Sequence, residues 1–185
     1  MDCIYLSQIT IPASVTSIRS TAFWNCTGLT EINFNATNMA DCTATSGLFG
    51  AAGKESTGIT VNVGANVTRI PDYLFYPYEG DQHIPNIDSI NFAHGSECTE
   101  VGDFAFYNCQ PLTSLNLPDS LETIGESAFY GATSLLSLTI PESVQTIGQY
   151  AFGMASALEN LQYNAINATD MPLNMNMMDE NGFPS

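Results

Sequence analysis

Basic residues are scarce in this chain of 185 residues, which contains only three of them, Arg19, Lys54 and Arg69. Asp and Glu together number 19, and the formal net charge is −16 at pH 7. Such a surface repels phosphate groups, so nucleic acids and anionic lipid headgroups are poor partners. A cationic protein is the kind of partner that this charge attracts, most strongly at low salt.

Long apolar runs are missing as well. No stretch of about 18 apolar residues occurs, so direct insertion of this segment into a membrane is not expected. Met1 is not followed by a basic and then apolar stretch of the kind that forms a secretory signal. We therefore expect any signal peptide or anchor to lie outside this segment.

Motifs for catalysis and metal binding are also absent. Histidine occurs only at His83 and His94, and neither a G-x-S-x-G elbow nor an H-E-x-x-H motif accompanies them. The five cysteines include no C-x-x-C pair, so a zinc site is not expected. No D-x-D-x-D-G loop is present, and weak calcium binding by repeat-spaced carboxylates stays open as the less favoured alternative to a solvated acidic face. We predict no cofactor and no metal. A hydrolase site hidden in the longer loops stays the third functional hypothesis, because sequence alone does not settle a Ser-His-Asp arrangement.

The sequence does contain a repeat with a period of 23 residues, seen most clearly from Leu112 and again from Leu135. Matching positions in these two copies are Leu115 and Leu138, Leu117 and Ile140, Pro118 and Pro141, Ile124 and Ile147, Gly125 and Gly148, Ala128 and Ala151, and Phe129 and Phe152. An Ala-Phe or Leu-Phe pair marks six repeats, at residues 22–23, 48–49, 74–75, 105–106, 128–129 and 151–152. A period in the twenties predicts a solenoid, because neighbouring units must stack to bury their apolar faces.

Each repeat can be translated into local structure. The pattern L-x-x-L-x-L/I places alternate apolar side chains on one side, which predicts a short strand ended by proline. The glycines Gly102, Gly125 and Gly148 suit a turn with positive φ. The x-x-A-F stretch is predicted to form one short helical or 3-10 turn that carries Phe into the core. We thus predict a right-handed solenoid, mainly β, with about six repeats and partial units at both ends.

The repeat also resembles a known family. The unit L-x-x-L-x-I-P-x-S-V-x-x-I-G-x-x-A-F-x-x-C is similar to the BspA type of leucine-rich repeat, over residues 6–161. The resemblance implies a leucine-rich repeat solenoid, an extracellular or cell-surface location in bacteria, and a non-catalytic adhesion or protein-binding role. The implied partner is a protein, such as a host matrix or cell-surface protein. A structural spacer that presents another domain is the alternative.

Two rows of residues are candidates for contact with a partner. Trp24, Tyr76, Tyr107 and Tyr130 each follow the core Phe and are predicted to form an aromatic ridge, since Tyr and Trp are common interface anchors. The alternative, which we favour from sequence alone, is that these rings cover the core beneath them.

The second row lies on the outward face of the predicted strands, which is rich in hydroxyls and amides. Its candidate binding residues are Asn91, Asn116 and Thr139. A solvated strand face with no partner is the competing interpretation. Two carboxylate pairs, Asp103 with Glu126 and Asp119 with Glu142, are expected to meet on neighbouring coils as a solvated acidic surface.

Cysteines follow the repeat, since Cys3, Cys26 and Cys109 occupy a position that Ala132 and Ala155 also occupy. A position that accepts Cys or Ala favours a small buried side chain, so structural thiols are expected.

The ends of the chain suggest a single solenoid domain, residues 1–185, that is a fragment of a longer array. Asp2-Cys3 matches the tail of a repeat, and Leu158 begins another. Neither end has the polar cap that solenoids need, which predicts end-to-end self-association. A Met-rich tail is a candidate lid over the last coil, with Met171, Met175, Met177 and Met178.

Overall fold

The computed structural model describes residues 3–78 and 83–165, and within these ranges the secondary structure consists of strands and turns. The strands are β1 (Gln8–Ile11), β2 (Glu31–Phe34), β3 (Ile59–Val63), β4 (Arg69–Ile70), β5 (Ile87–Phe92), β6 (Glu100–Val101), β7 (Ser114–Asn116), β8 (Thr123–Ile124), β9 (Ser137–Ile140), β10 (Thr146–Ile147) and β11 (Asn160–Tyr163). The Met-rich tail lies outside the described residues.

Strands from successive coils pair in parallel to build the walls of a solenoid. The main wall contains β1, β2, β3, β5 and β7 in that order, and β9 and β11 continue it as a separate parallel pair. A second wall contains β4, β6, β8 and β10. Every pairing is parallel, which is the arrangement that a chain coiling in one direction produces. The predicted solenoid is therefore confirmed.

The register of the main wall follows the leucine pattern. Ile9 pairs with Ile32, Ile32 with Val61, and Val61 with Ile90. Ile90 pairs in turn with Leu115 on the following coil, and all of these residues except Ile9 are buried. Because side chains alternate along a strand, the polar residues between them point away from the core. The outward face predicted from the sequence thus lies where it was expected.

The Ala-Phe segments form turns, so the prediction of a short helical turn is wrong. Backbone bonds between residues three apart close each turn, as from Tyr107 N to Phe104 O at 3.3 Å. Intervening N–H groups donate to the next coil instead: Phe104 N to Glu126 O at 2.8 Å and Phe106 N to Ala128 O at 2.8 Å. These bonds need a left-handed residue just before the Ala, such as Phe104 with φ of 55°, and that residue breaks the helical path.

Gly102, Gly125 and Gly148 serve a different purpose from the predicted one, because none of them has a positive φ. A Cβ at Gly125 would lie 2.6 Å from the backbone N of Asp103, and one at Gly148 would lie 2.4 Å from the backbone N of Glu126. Such distances are well inside van der Waals contact. Glycine is therefore required so that consecutive coils can approach each other closely.

A continuous column of stacked phenylalanines fills the core. Neighbouring ring centroids are 4.9–5.3 Å apart along Phe23, Phe49, Phe75, Phe106, Phe129 and Phe152. All but Phe23 are at most 1% exposed. The five buried rings are thus covered by neighbouring coils, as the repeat predicted.

All five cysteines lie in the described part of the chain as thiols, with no disulfide between them. Cys26, Cys98 and Cys109 are buried, whereas Cys42 is half-buried and Cys3 is exposed. Burial raises the pKa of the Cys98 thiol to about 11 and that of Cys109 further. These sulfurs therefore stay protonated and contribute packing, because the nucleophilic form of cysteine is the thiolate.

Candidate binding surfaces

Tyr76, Tyr107 and Tyr130 lie side by side on three consecutive coils. The centroid of Tyr107 is 5.0 Å from that of Tyr76 and 5.1 Å from that of Tyr130, with the latter pair nearly parallel at 5°. The hydrogen bonds between the turns fix this spacing, including Asn108 N to Tyr130 O at 2.6 Å. All three rings are half-buried. The structure therefore brings together three members of the predicted ridge.

Trp24 is separate from that row, which corrects the prediction of a four-membered ridge. The coil that follows Trp24 has Gly50 at the ridge position, and a Cβ there would lie 2.2 Å from the indole ring. Trp24 folds over this glycine and contacts Tyr78 and His83, with centroid distances of 6.4 Å and 5.3 Å. At this coil glycine therefore takes the place that an aromatic ring would hold in a continuous ridge.

Two further rings, which the repeat pattern did not single out, extend the row sideways. Tyr73 and Phe104 stack at 5.0 Å and 9° on neighbouring coils. Both meet Tyr76 edge-on, at 5.3 Å and 5.9 Å, and Phe104 also lies 5.7 Å from Tyr107. We call the set of Tyr73, Tyr76, Phe104, Tyr107 and Tyr130 the aromatic patch. The signal that could have revealed it is an aromatic residue three positions before Tyr76 and again before Tyr107.

A row of carboxylates borders the aromatic patch and is built into the turns. Asp103 N–H donates to Asp72 Oδ1 at 2.9 Å, and Glu126 N–H donates to Asp103 Oδ1 at 2.7 Å. The predicted pair of Asp103 and Glu126 therefore meets on adjacent coils. Burial, followed by the charges of these three carboxylates, raises the pKa of the Tyr73 phenol. Its hydroxyl is thus a proton donor at neutral pH.

Arg69 neutralises part of the acidic surface at one end of this row. Its guanidinium forms ion pairs with Asp41, with Asp72 at 2.7 Å and with Glu100 at 2.8 Å. Burial acts to lower the pKa of Arg69, but hydrogen bonds to Glu100 and Asp41 outweigh it and raise the pKa overall. One cation is shared among three carboxylates, so the surface around it keeps a net negative charge.

The outward strand face carries a ladder of asparagines in strict register. Asn62 Nδ2 donates to Asn33 Oδ1 at 3.1 Å, and Asn91 Nδ2 donates to Asn62 Oδ1 at 3.4 Å. Asn91 pairs in turn with Asn116, and Thr139 occupies the same register position one coil later, opposite Gln162. The side chains of Asn91, Asn116 and Thr139 are exposed. The amide ladder satisfies part of this face internally, which leaves fewer groups for a partner.

The main wall is interrupted between β7 and β9, which belong to separate ladders. A cleft of about 390 Å³ lies at this place. Asn116 and Thr139 line it together with the acid pair Asp119 and Glu142. Because the lining contains carboxylates and no basic side chain, the cleft disfavours anions.

The two histidines of the described ranges lie in different loops. His83 is half-buried against Trp24, whereas His94 is exposed in another loop. Across residues 3–78 and 83–165 no cluster of three or more His, Cys, Asp or Glu side chains could hold a metal ion. The same ranges contain no helix long and apolar enough to cross a membrane.

Comparison with known protein families identifies the family to which this repeat belongs. The BspA type leucine-rich repeat region matches the sequence in six copies, over residues 1–87 and 68–175. The chain belongs to the BspA-type leucine-rich repeat family. Leucine-rich repeat folds are usually non-catalytic, and they commonly serve as protein-binding repeat modules. No curated protein has a detectably similar sequence.

The fold of this BspA-type chain is similar to that of a solved leucine-rich repeat protein. The leucine-rich repeat protein of T. pallidum superimposes with a TM-score of 0.52 at 18% identity, over 85% of this chain and 69% of that one. A leucine-rich repeat protein from Bacteroides ovatus ATCC 8483 has 26% identity and a TM-score of 0.46, over 84% of this chain. The match spans 45% of the B. ovatus chain, so this chain covers less than half of that relative.

Proposed function

We propose that this chain is a non-catalytic binding and adhesion module of a secreted or cell-surface protein, and that residues 1–185 form one solenoid domain. Its partner is a protein of the host matrix or host cell surface. Membership of the BspA-type family supports the binding role, because leucine-rich repeat solenoids present extended faces to protein partners. The strongly acidic surface argues against nucleic acid as the partner.

The observation that carries this proposal is the partial exposure of the aromatic patch. Phe106 lies in the core beneath the patch and is fully buried, whereas its neighbour Tyr107 keeps part of its ring in solvent. A ring that served only to cover the core would gain most by complete burial. Rigid, half-exposed tyrosines with a hydroxyl at the edge are typical of interface hot spots.

The test is a binding panel on the intact protein. Host matrix and cell-surface proteins would be passed over the immobilised chain, and saturable binding by surface plasmon resonance is expected for at least one of them. Tyr107→Ala should weaken that binding about tenfold, the effect of a typical hot-spot residue. The double variant Asn91→Ala/Asn116→Ala serves as the comparison on the strand face, because its side chains are exposed on the other candidate surface.

Each outcome of the panel decides something. Absence of saturable binding throughout the panel would contradict the adhesion proposal and leave the spacer role as the better one. Binding that is lost in the asparagine variant and kept in Tyr107→Ala would move the site to the strand face. Turnover in a parallel panel of hydrolase substrates would contradict the non-catalytic assignment.

A further inference from the structure

We propose that the aromatic patch and its bordering carboxylates, Asp103 and Glu126, bind an extended segment of the partner that carries lysine or arginine side chains. This inference rests on the proposed protein-binding role and adds the surface and the chemistry of the segment that it recognises. Three independent features of the described residues lead to it: backbone conformation, ring arrangement and charge.

The backbone feature is the presence of large rings at positions that disfavour them. Tyr73 and Phe104 have φ of 56° and 55°, in the left-handed region. The other coils carry Thr21, Gly47, Ser127 or Tyr150 at this same position. Glycine or asparagine adopts this conformation at least cost, and a bulky residue there is strained. The turn itself therefore does not require a ring, and strained positions of this kind occur preferentially at functional sites.

The arrangement of the rings suits long aliphatic stems. The stacked pair of Tyr73 and Phe104 lies beside the stacked row of Tyr76, Tyr107 and Tyr130, so the patch extends over three consecutive coils. Lysine and arginine side chains bury their methylene stems against apolar surface while the charged end stays in contact with polar groups. An extended segment can place alternate side chains along such a row.

The charges next to the rings supply partners for the cationic ends. Asp103 and Glu126 are exposed, and each lies at the turn that carries a ring of the patch. The neighbouring cation, Arg69, is bound to Asp41, Asp72 and Glu100, and no Lys or Arg follows it in the sequence. The exposed carboxylates of the patch therefore have no basic residue of their own repeats to pair with, and a basic ligand would complete these pairs.

The probe for the test is a fluorescently labelled peptide of alternating lysine and alanine, titrated with the full chain at physiological salt and followed by anisotropy. The first variant is Tyr73→Asn/Phe104→Asn, which keeps the net charge and places a residue that tolerates the left-handed conformation. It should bind the peptide about tenfold more weakly. Thr21→Asn is the matched control, since it changes the same position in a coil away from the patch, and it should bind as the wild type does.

A second pair of variants separates local recognition from general attraction to an acidic protein. Asp103→Asn/Glu126→Gln should weaken binding at least fivefold more than Asp119→Asn/Glu142→Gln, although both remove two negative charges. The amide oxygen introduced by Asp103→Asn can still accept the backbone N–H of residue 126, so the turn is preserved. Equal weakening by the two carboxylate pairs, or unchanged binding by the aromatic variant, would overturn the proposal and leave diffuse charge attraction.

The outcomes also keep this inference apart from the proposed function. A matrix protein that binds the wild type and the aromatic variant equally well would refute this inference and leave the adhesion role intact. If the peptide bound at the patch while no protein of the panel bound, the adhesion role would be refuted and this inference would stand. If circular dichroism showed that the aromatic variant had lost its fold, the comparison of the two carboxylate pairs would decide the question alone.

Discussion

The phenylalanine column makes a quantitative prediction for Phe129→Ala. Phe129 is fully buried, and its ring stacks on Phe106 and on Phe152 at 5.3 Å in both directions. Truncation of a buried Phe to Ala costs about 3–5 kcal/mol. Each lost ring pair removes about 0.5–1.5 kcal/mol beyond the buried area, which places Phe129→Ala at the upper end, near 5 kcal/mol. The cavity would lie in the middle of the stack, where the coils on both sides are held by backbone bonds.

The assay is equilibrium unfolding in urea, and Phe23→Ala is the matched control. Phe23 is half-buried and has one ring partner, Phe49 at 5.0 Å, so its truncation should cost about 1–2 kcal/mol. Because a loss near 5 kcal/mol rivals the whole stability of a marginal domain, Phe129→Leu provides a milder variant: it keeps most of the buried volume but loses both ring pairs, so its expected cost is about 2–3 kcal/mol. A loss below about 1 kcal/mol for Phe129→Ala, or equal losses for the two alanine variants, would refute the stacked-column account.

Three further predictions test other parts of the structure. Gly125→Ala should lower the free energy of unfolding by about 3 kcal/mol, because the new Cβ would lie 2.6 Å from backbone atoms of the neighbouring coil. Gly95→Ala has no atom within 4 Å of the new Cβ and should cost only about 1 kcal/mol, from its positive φ. Urea unfolding of both variants measures the difference. Arg69→Met leaves the three carboxylates that Arg69 binds without a cation, so they repel one another at pH 7 and the variant should be less stable than the wild type there. Its stability should rise as the pH falls towards about 4 and the carboxylates bind protons. A variant whose stability does not rise in acid would contradict the ion-pair network. In the wild type the trend for Asp41 is opposite. Burial acts to raise the pKa of Asp41, but hydrogen bonds from Arg69 and from the Asp72 N–H outweigh it and lower the pKa. The contribution of Asp41 to stability is therefore present above its unfolded pKa and is lost as the pH falls. In thiol labelling followed by mass spectrometry, exposed Cys3 should react in the native protein, whereas Cys98 should react far more slowly because burial raises its pKa to about 11. After unfolding, all five cysteines should react. Labelling of three or fewer cysteines in the unfolded protein would reveal a disulfide.

The repeat allowed the main wall and the phenylalanine column to be predicted because both depend on alternation within one coil. A strand that buries one face has only one register that keeps leucine inside, so the outward position of Asn91 and Asn116 followed directly. Stacking of Phe106 on Phe129 followed in the same way, since equivalent residues of equivalent coils must be neighbours.

Features that depend on backbone conformation were not predictable in this way. The left-handed residues include Tyr73 and Phe104, whereas sequence preferences point to glycine for positive φ, and the glycines were therefore assigned the wrong purpose. The prediction of a helical turn was wrong because bonds between residues three apart occur both in 3-10 helices and in consecutive turns.

Features that join coils of different length were also missed. Asp41, Arg69 and Glu100 lie in coils with insertions, so no fixed period links them in the sequence, although the structure unites them in one ion-pair network. Trp24 was placed in the ridge because it occupies the right position in its own repeat. Only the structure shows that Gly50 on the next coil lets the indole fold away.

Photo-crosslinking tests the central claim most directly, namely that this solenoid holds a protein partner through the aromatic patch. The photoreactive residue p-benzoylphenylalanine would replace Tyr107 in one sample and Asn116, on the strand face, in another. After irradiation with the protein partner identified in the binding panel, the account predicts a covalent adduct from position 107 and little or none from position 116. Adducts from position 116 alone, or none from position 107 while binding is saturated, would contradict it.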